Sequence, residues 1–261
     1  MIFPVYFHVG ALRIPAHEVM EAAGYLVGAQ LFLALRNKFP SGRLDAERGM
    51  AIIAGCLVGA LAGSKILALV ESIRAYWPHR NHLGVLLSGK TIVGGLAGGW
   101  AGVEIAKHII GVRQNTGDRF VFPILLGLAI GRVGCFLEGL PDHTYGVATA
   151  LPWGVDFGDG IRRHPTQLYE IAFCLLLALA LRIRMRWAFR SGEIFRLMMI
   201  GYFSWRFLIE FIKPRETYLG LSPIQIVSFA TLCLALRSLS NIRKGLPIET
   251  PNLMQARLTH G

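Results

Sequence analysis

Charge is scarce in this sequence. Of 261 residues, 16% are Asp, Glu, Lys or Arg and 53% are apolar, and the mean hydropathy is +0.48. A soluble domain carries about 25% charged residues, so a chain this poor in them is not built to meet water on every side. Cysteine is sparse too. Cys56, Cys135, Cys174 and Cys233 lie in or beside apolar stretches without metal-ligand spacing, which argues against a disulfide framework and against a metal site. Cys56, Cys174 and Cys233 read as small buried hydrophobes. The chain has no internal repeat and no low-complexity tract. No stretch matches a P-loop, a zinc-protease helix or a serine-hydrolase elbow, so neither an internal nucleophile nor a cofactor is expected. Met1 to Gly10 holds no basic segment ahead of an apolar core. A cleavable signal peptide is therefore not expected, and the first helix should insert uncleaved.

What the chain has in quantity is long apolar runs. Several reach the roughly 20 residues a helix needs to cross hydrocarbon. The pattern predicts an all-α integral membrane protein, a single polytopic domain over 1–261. Its seven transmembrane helices fall near 17–36, 49–73, 89–110, 120–139, 165–183, 193–212 and 222–238. The net charge is +11, but the basic residues sit in loops between the runs rather than in one patch. That distribution suits anionic membrane lipid, and nucleic acid is not an expected partner. Loop by loop, Lys and Arg number 14 on one side and 8 on the other. The richer side should be cytoplasmic, which puts the N-terminus outside and the C-terminus inside. Segments 74–88 and 140–164 then face outward. The longer of these, 140–164, joins the fourth and fifth helices. Its Pro141, Asp142, Pro152, Trp153, Gly154, Gly158, Asp159 and Gly160 read as a structured loop rather than a spacer. The connector 37–48 and the tail from Asn241 read as solvated.

Glycine forms stripes on the first three helices: Gly24 and Gly28, then Gly55, Gly59 and Gly63, then Gly94, Gly95, Gly98, Gly99 and Gly102. Such stripes let backbones approach closely in lipid, where van der Waals contact holds helices together. The alternative is a glycine-lined cavity for a lipid headgroup. Lys65, alone in the second helix, either snorkels to the interface or meets a headgroup.

Charged residues inside the spans need a reason, because each costs about 2.5–3.5 kcal/mol on the insertion scale. The stretch Gly131-Arg132-Val133-Gly134-Cys135-Phe136-Leu137-Glu138-Gly139 closes the apolar run from Phe120 to Ile130. On the sixth helix Tyr202, Arg206 and Glu210 are spaced i, i+4, i+8 and share a face. Arg206 and Glu210 can pair, either as a structural ion pair or as part of a site, whereas Arg132 has no partner so obvious. Arg162-Arg163-His164-Pro165-Thr166-Gln167-Leu168-Tyr169-Glu170 leads into the fifth helix, with Pro165 at its start, where a missing N–H does no harm. Together these charges suit a phosphate ester. A guanidinium donates two parallel bonds to phosphate oxygens and stays charged at physiological pH. Two arginines facing one cavity would hold a phospholipid headgroup and stabilise charge on a departing phosphate.

At these residues the chain resembles the bacterial prolipoprotein diacylglyceryl transferase family over roughly residues 3–236. The resemblance rests on Gly131-Arg132-Val133-Gly134-Cys135-Phe136 with Tyr145-Gly146 behind, on His164-Pro165-Thr166-Gln167-Leu168-Tyr169-Glu170, on Arg206-Phe207-Leu208-Ile209-Glu210-Phe211, and on Gly94-Gly95-Leu96. It implies transfer of diacylglyceryl from phosphatidylglycerol to the thiol of a lipobox cysteine in a prolipoprotein signal peptide, in the bacterial inner membrane. It also implies that Arg132 and Arg206 grip the phosphate, that Glu210 and Tyr202 orient Arg206, and that Gln167, Tyr169 and Glu170 brace the outer wall. Gly131, Gly134, Tyr145, Gly146, His164, Gly94, Gly95, Lys65 and His17 would line the substrate site. A relative moving a glyceryl or acyl group to another acceptor, or a non-catalytic lipid-binding protein, would share the same arginines.

The chain departs from the family pattern at four places. Val93 stands before Gly94-Gly95 where the family has histidine, and a first-helix tyrosine is replaced near His17. Cys135 takes the place of an asparagine, and the stretch Gly139 to Gly146 is longer than usual. Val93 cannot take a proton, which leaves His17 or His143 as candidates for the missing base.

Overall fold

Each of the apolar runs folds as a helix. The computed structural model describes residues 3–10, 12–35, 44–73, 89–215, 217–218 and 220–245. The helices are α1 (Ala16–Leu35), α2 (Ala46–Glu71), α3 (Ile92–Ile109), α4 (Val121–Glu138), α5 (Thr166–Arg184), α6 (Glu193–Ile209) and α7 (Pro223–Gly245). Among the described residues, α1, α2, α4, α5 and α7 are long and apolar enough to cross a membrane. The other two fall short for visible reasons. α3 is rich in glycine and carries Glu104 and Lys107, while α6 has 17 residues and carries Glu193, Arg196 and Arg206. The predicted connector 74–88 lies outside the described residues, as do most of 37–48 and the residues beyond Gly245. The tail read as solvated from Asn241 instead begins as helix, since α7 runs on to Gly245 with Ile242 buried against the bundle.

Glycine decides how the helices pair. α2 and α3 run antiparallel, with Gly55, Gly59 and Gly63 laid on Gly102, Gly98 and Gly94. A Cβ on Gly59 would overlap the Gly98 carbonyl, and one on Gly63 the Gly94 carbonyl. α1 and α4 form a second antiparallel pair. A Cβ on Gly24 would lie 2.9 Å from the Gly127 oxygen, and one on Gly134 2.9 Å from the His17 oxygen. Backbones this close gain contact that lipid cannot offer, so the stripes serve packing. α5 packs on α4, α7 packs on α6, and α7 also touches α2 and α3. The core between them holds Leu125, Ala129, Cys174, Ile194, Met198, Met199 and Phe203. Leu26, Leu57, Val58, Ile66 and Leu176 are among many large apolar residues left exposed, as expected for helices sheathed in lipid. Of the cysteines read as buried, Cys174 is buried, Cys56 is half-buried and Cys233 is exposed.

Polar ties fasten both ends of the bundle. At one end Asp118 accepts from the Gly192 and Phe195 amides at the start of α6, at 2.5 and 2.8 Å. Glu193 beside it accepts from Arg184 of α5 and Arg243 of α7. At the other end two small antiparallel ladders lie outside the helices: β1 (Tyr6–Val9) with β2 (Leu12–Pro15), and β3 (Val155–Asp156) with β4 (Arg162–Arg163). The Asp156 carboxylate accepts from the amides of Gly158, Asp159 and Gly160, and Trp153 donates to the Tyr169 hydroxyl at 2.7 Å. The segment 140–164 is thereby fixed over the start of α5. The side-chain bond from Arg163 holds the Asp159 carboxyl below the usual carboxylate range.

Candidate active site

α5 brings Glu170 into the middle of the bundle, and two arginines from other helices converge on it. Arg132 of α4 places Nε 3.0 Å from Glu170 Oε2, and Arg206 of α6 places Nη1 3.1 Å from the same oxygen. The Tyr202 hydroxyl, one turn before Arg206, donates to Glu170 Oε1 at 2.7 Å. All four side chains are buried. The predicted Arg206–Glu210 pair is present, with Nη2 3.3 Å from Oε2. Glu210 continues the chain of charges to Arg215 at 3.1 Å, and Arg215 reaches Glu71 of α2 at 2.7 Å. Arginine and glutamate therefore alternate along one path from α4 to α2. Such burial is tolerable only because each charge meets its opposite at hydrogen-bonding distance.

Some buried polar atoms in this network have no hydrogen-bond partner among the described residues. Arg206 Nε is buried without a hydrogen-bond partner among the described residues, and so are both amide atoms of Gln167. Gln167 precedes Glu170 by one helical turn and is almost wholly buried. Buried polar atoms are nearly always paired, so a set of them beside two arginines marks a place for a polar ligand. Lys213, just past α6, adds a buried amine. Burial, and then the charges of Arg206 and Arg132, hold it well below the usual lysine range.

The remaining residues singled out in the sequence fall into three places. His17 lies beside Cys135 and Asp142 at the N-terminal end of α1, whereas His143 is exposed. His164, Tyr169, Tyr145 and Gly146 build the outer loop rather than the charged path. His164 Nδ1 is 3.2 Å from the Tyr169 hydroxyl, Arg163 lies over the Tyr145 ring, and the Gly146 amide donates to the His164 carbonyl. Gly94 sits in the α2–α3 seam, where a Cβ would overlap the Gly63 carbonyl. Gly95 has open room, its nearest neighbour 3.8 Å from a Cβ. Lys65 is half-buried on α2. Gly131 leaves space on α4, and Gly134 brings α1 close. Glu138 does not pair with Arg132, whose carboxylate partner comes from α5.

Sequence reading missed Glu71, Lys213 and Arg215, which it left in or beside loops. Their signal was weak, since a charge just past the end of a span is ordinary. An apolar cleft of about 550 Å³ opens between three helices. It is lined by Gly63, Leu67, Val70 and Ile73 of α2, Gly94 and Gly98 of α3, and Pro223, Ile226 and Val227 of α7.

Comparison with known proteins bears on this arrangement. The family profile described as prolipoprotein diacylglyceryl transferase matches residues 4–240. The chain is 32% identical over 246 residues to a phosphatidylglycerol–prolipoprotein diacylglyceryl transferase of Clostridium tetani, covering 89% of this chain and 95% of the relative. A protein of the same name from Geobacter sulfurreducens is 30% identical over 261 residues, covering 90% and 93%. One from Cupriavidus necator is 32% identical over 243 residues, covering 85% and 84%.

Proposed function

The chain belongs to the prolipoprotein diacylglyceryl transferase family, and on that premise we propose how its buried charges carry out the transfer. The protein moves the diacylglyceryl group of phosphatidylglycerol to a cysteine thiol of a prolipoprotein, that cysteine lying in the lipobox of the signal peptide. The observation that carries the residue assignment is the convergence of Arg132 and Arg206 on one buried carboxylate, beside buried polar atoms with no hydrogen-bond partner among the described residues.

The substrate phosphate is a diester with one negative charge, and it lies against Arg132 and Arg206. The cysteine sulfur attacks the glyceryl methylene carbon, and the C–O bond to phosphorus breaks. Its electron pair passes to the phosphate oxygen, so glycerol phosphate leaves with a second negative charge. The arginines meet charge that grows only in the transition state, which is where electrostatic stabilisation accelerates a reaction. Glu170 and Glu210 hold the guanidiniums in place without rearrangement, and Tyr202 acts on Arg206 through Glu170. The nucleophile belongs to the substrate. One acyl chain lies in the cleft between α2, α3 and α7.

All seven helices cross the bacterial inner membrane, with the N-terminus and the segment 140–164 outside. The supports are the charge bias between loops and the position of the ordered loop above the arginines. Full-length protein in phosphatidylglycerol liposomes with a lipobox peptide tests the reading. Mass spectrometry should find a diacylglyceryl adduct on the peptide cysteine, with free glycerol phosphate. Arg132→Ala and Arg206→Ala should each lower turnover by at least about a hundredfold, the scale of losing one transition-state donor, while still inserting into membranes. Normal turnover in either variant would sink the phosphate grip.

A further inference from the structure

The thiol that attacks must first lose its proton, and position 93 offers no base: Val93 is 1% exposed within the apolar core. At the outer end of α4, however, three side chains of a different kind meet. A nitrogen of His17, the sulfur of Cys135 and a carboxylate oxygen of Asp142 all lie within 4.8 Å of one another. His17 Nδ1 and Asp142 Oδ1 are 3.9 Å apart. Metal bonds of about 2.0–2.3 Å place tetrahedral ligand atoms roughly 3.3–3.8 Å apart, so small side-chain adjustments suffice. His17 Nδ1 is buried and has no hydrogen-bond partner among the described residues.

The surroundings hold these groups as the shell around a metal does. Gly134 lets α1 approach α4 until a Cβ there would be 3.1 Å from His17 Cα, which sets the imidazole beside Cys135. Gly139, at φ +74°, ends α4 and turns the chain into the short 3-10 segment that carries Asp142 back over the helix end. The Thr144 hydroxyl donates to Asp142 Oδ2 and leaves Oδ1 toward His17. The other imidazole nitrogen, Nε2, lies 3.8 Å from Glu21, which Lys90 holds at 2.7 Å. A carboxylate behind a ligating histidine is the usual outer partner in metal sites. Arg132 Nη1 is 3.6 Å from Cys135 Sγ, so the cluster adjoins the phosphate grip.

We propose that His17, Cys135 and Asp142 bind a thiophilic divalent metal ion of the zinc class, whose fourth position receives the sulfur of the substrate cysteine. Three protein ligands with one open position make a catalytic rather than a structural zinc site. A thiol on such an ion is deprotonated outright, its proton passing to solvent. The metal-held sulfur then forms the new bond to the glyceryl carbon, and the electron pair of the broken C–O bond leaves with glycerol phosphate on Arg132 and Arg206. The ion does the work of the absent base. Cys135 is not itself the attacking group, because a thioether on the protein has no good leaving group and would end the cycle. Three of the chain's departures from its family pattern, at His17, at Cys135 and in the stretch that carries Asp142, thus fall in one place. The fourth ligand rests on the transferase reading, whereas ion binding by the three side chains does not.

The test uses full-length protein in detergent, freed of metal by a chelator and titrated with Co²⁺ alone. One Co²⁺ per chain should bind, with the absorption of a tetrahedral ion and a near-ultraviolet thiolate-to-cobalt band. Cys135→Ser should abolish that band, and His17→Ala or Asp142→Asn should weaken binding at least about tenfold, the loss seen for even an outer partner. Lipobox peptide should shift the visible bands. Wild-type protein needs no variant for the second arm: chelation should stop adduct formation in phosphatidylglycerol liposomes, and Zn²⁺ should restore it. Absence of a cobalt spectrum, a band that survives Cys135→Ser, or transfer indifferent to chelation would each overturn the metal site and leave the transferase reading standing. A cobalt site with no adduct under any metal would overturn the transferase reading and leave the site.

Discussion

Glu170 accepts from three donors at once, Arg132, Arg206 and Tyr202, so a change there is felt on three helices. Glu170→Gln keeps the shape but removes the carboxylate that the two guanidiniums share. Breaking a buried pair by neutralising one partner costs about 3–5 kcal/mol. Thermal unfolding in detergent should show a clear fall in Tm for Glu170→Gln, larger than for Glu170→Asp. An unchanged Tm would mean that the carboxylate does not hold the helices. In the sequence the intramembrane arginines were plain, because a charge in an apolar run stands out and the cost of burying it demands a purpose. Their partners were less plain. Arg206 and Glu210, the residue that caps α6, lie one turn apart and keep the helical period, whereas the pairing of Arg132 with Glu170 is set by how α4 packs on α5. The His17–Cys135–Asp142 cluster was hidden for the same reason: it is closed by an antiparallel helix contact and a 3-10 turn, and neither leaves a spacing motif.

Helix positions were legible because hydrocarbon imposes a length, and each predicted span overlaps a helix, although α7 runs on to Gly245, well past the predicted end at 238. The N-terminal ladder of β1 and β2 was not, since four-residue strands beside a long apolar helix give too few alternations to register. The glycine stripes left packing and a headgroup cavity both open, and the structure separates the two by position. Gly59 and Gly98 face each other across the α2–α3 seam. Leucine at either would force the backbones apart, at roughly 1–3 kcal/mol or more for overpacking. Gly59→Leu and Gly98→Leu should each reduce the yield of monodisperse protein on size exclusion. Gly95→Ala should not, because its Cβ would meet nothing nearer than 3.8 Å. If Gly95→Ala misfolds while Gly59→Leu does not, the seam has been assigned to the wrong face.

At the scale of the molecule, polar groups lie at the two ends and inside the bundle while the flanks are apolar, so orientation rests on loop charge. Asp159→Cys places a thiol at an exposed point of the 140–164 loop. A membrane-impermeant maleimide should label it in intact cells, and labelling only after permeabilisation would reverse the topology. The order in which the chain is made adds a demand of its own. Arg132 emerges near the end of α4, and Glu170 follows only at the start of α5, beyond the whole 140–164 segment. During that interval its guanidinium enters the bilayer without the carboxylate that later neutralises it. The span from Asp118 to Glu138 that carries it has the highest mean hydropathy of the five, 2.1. A span that apolar can carry a charged side chain into the membrane before elongation delivers its counter-ion.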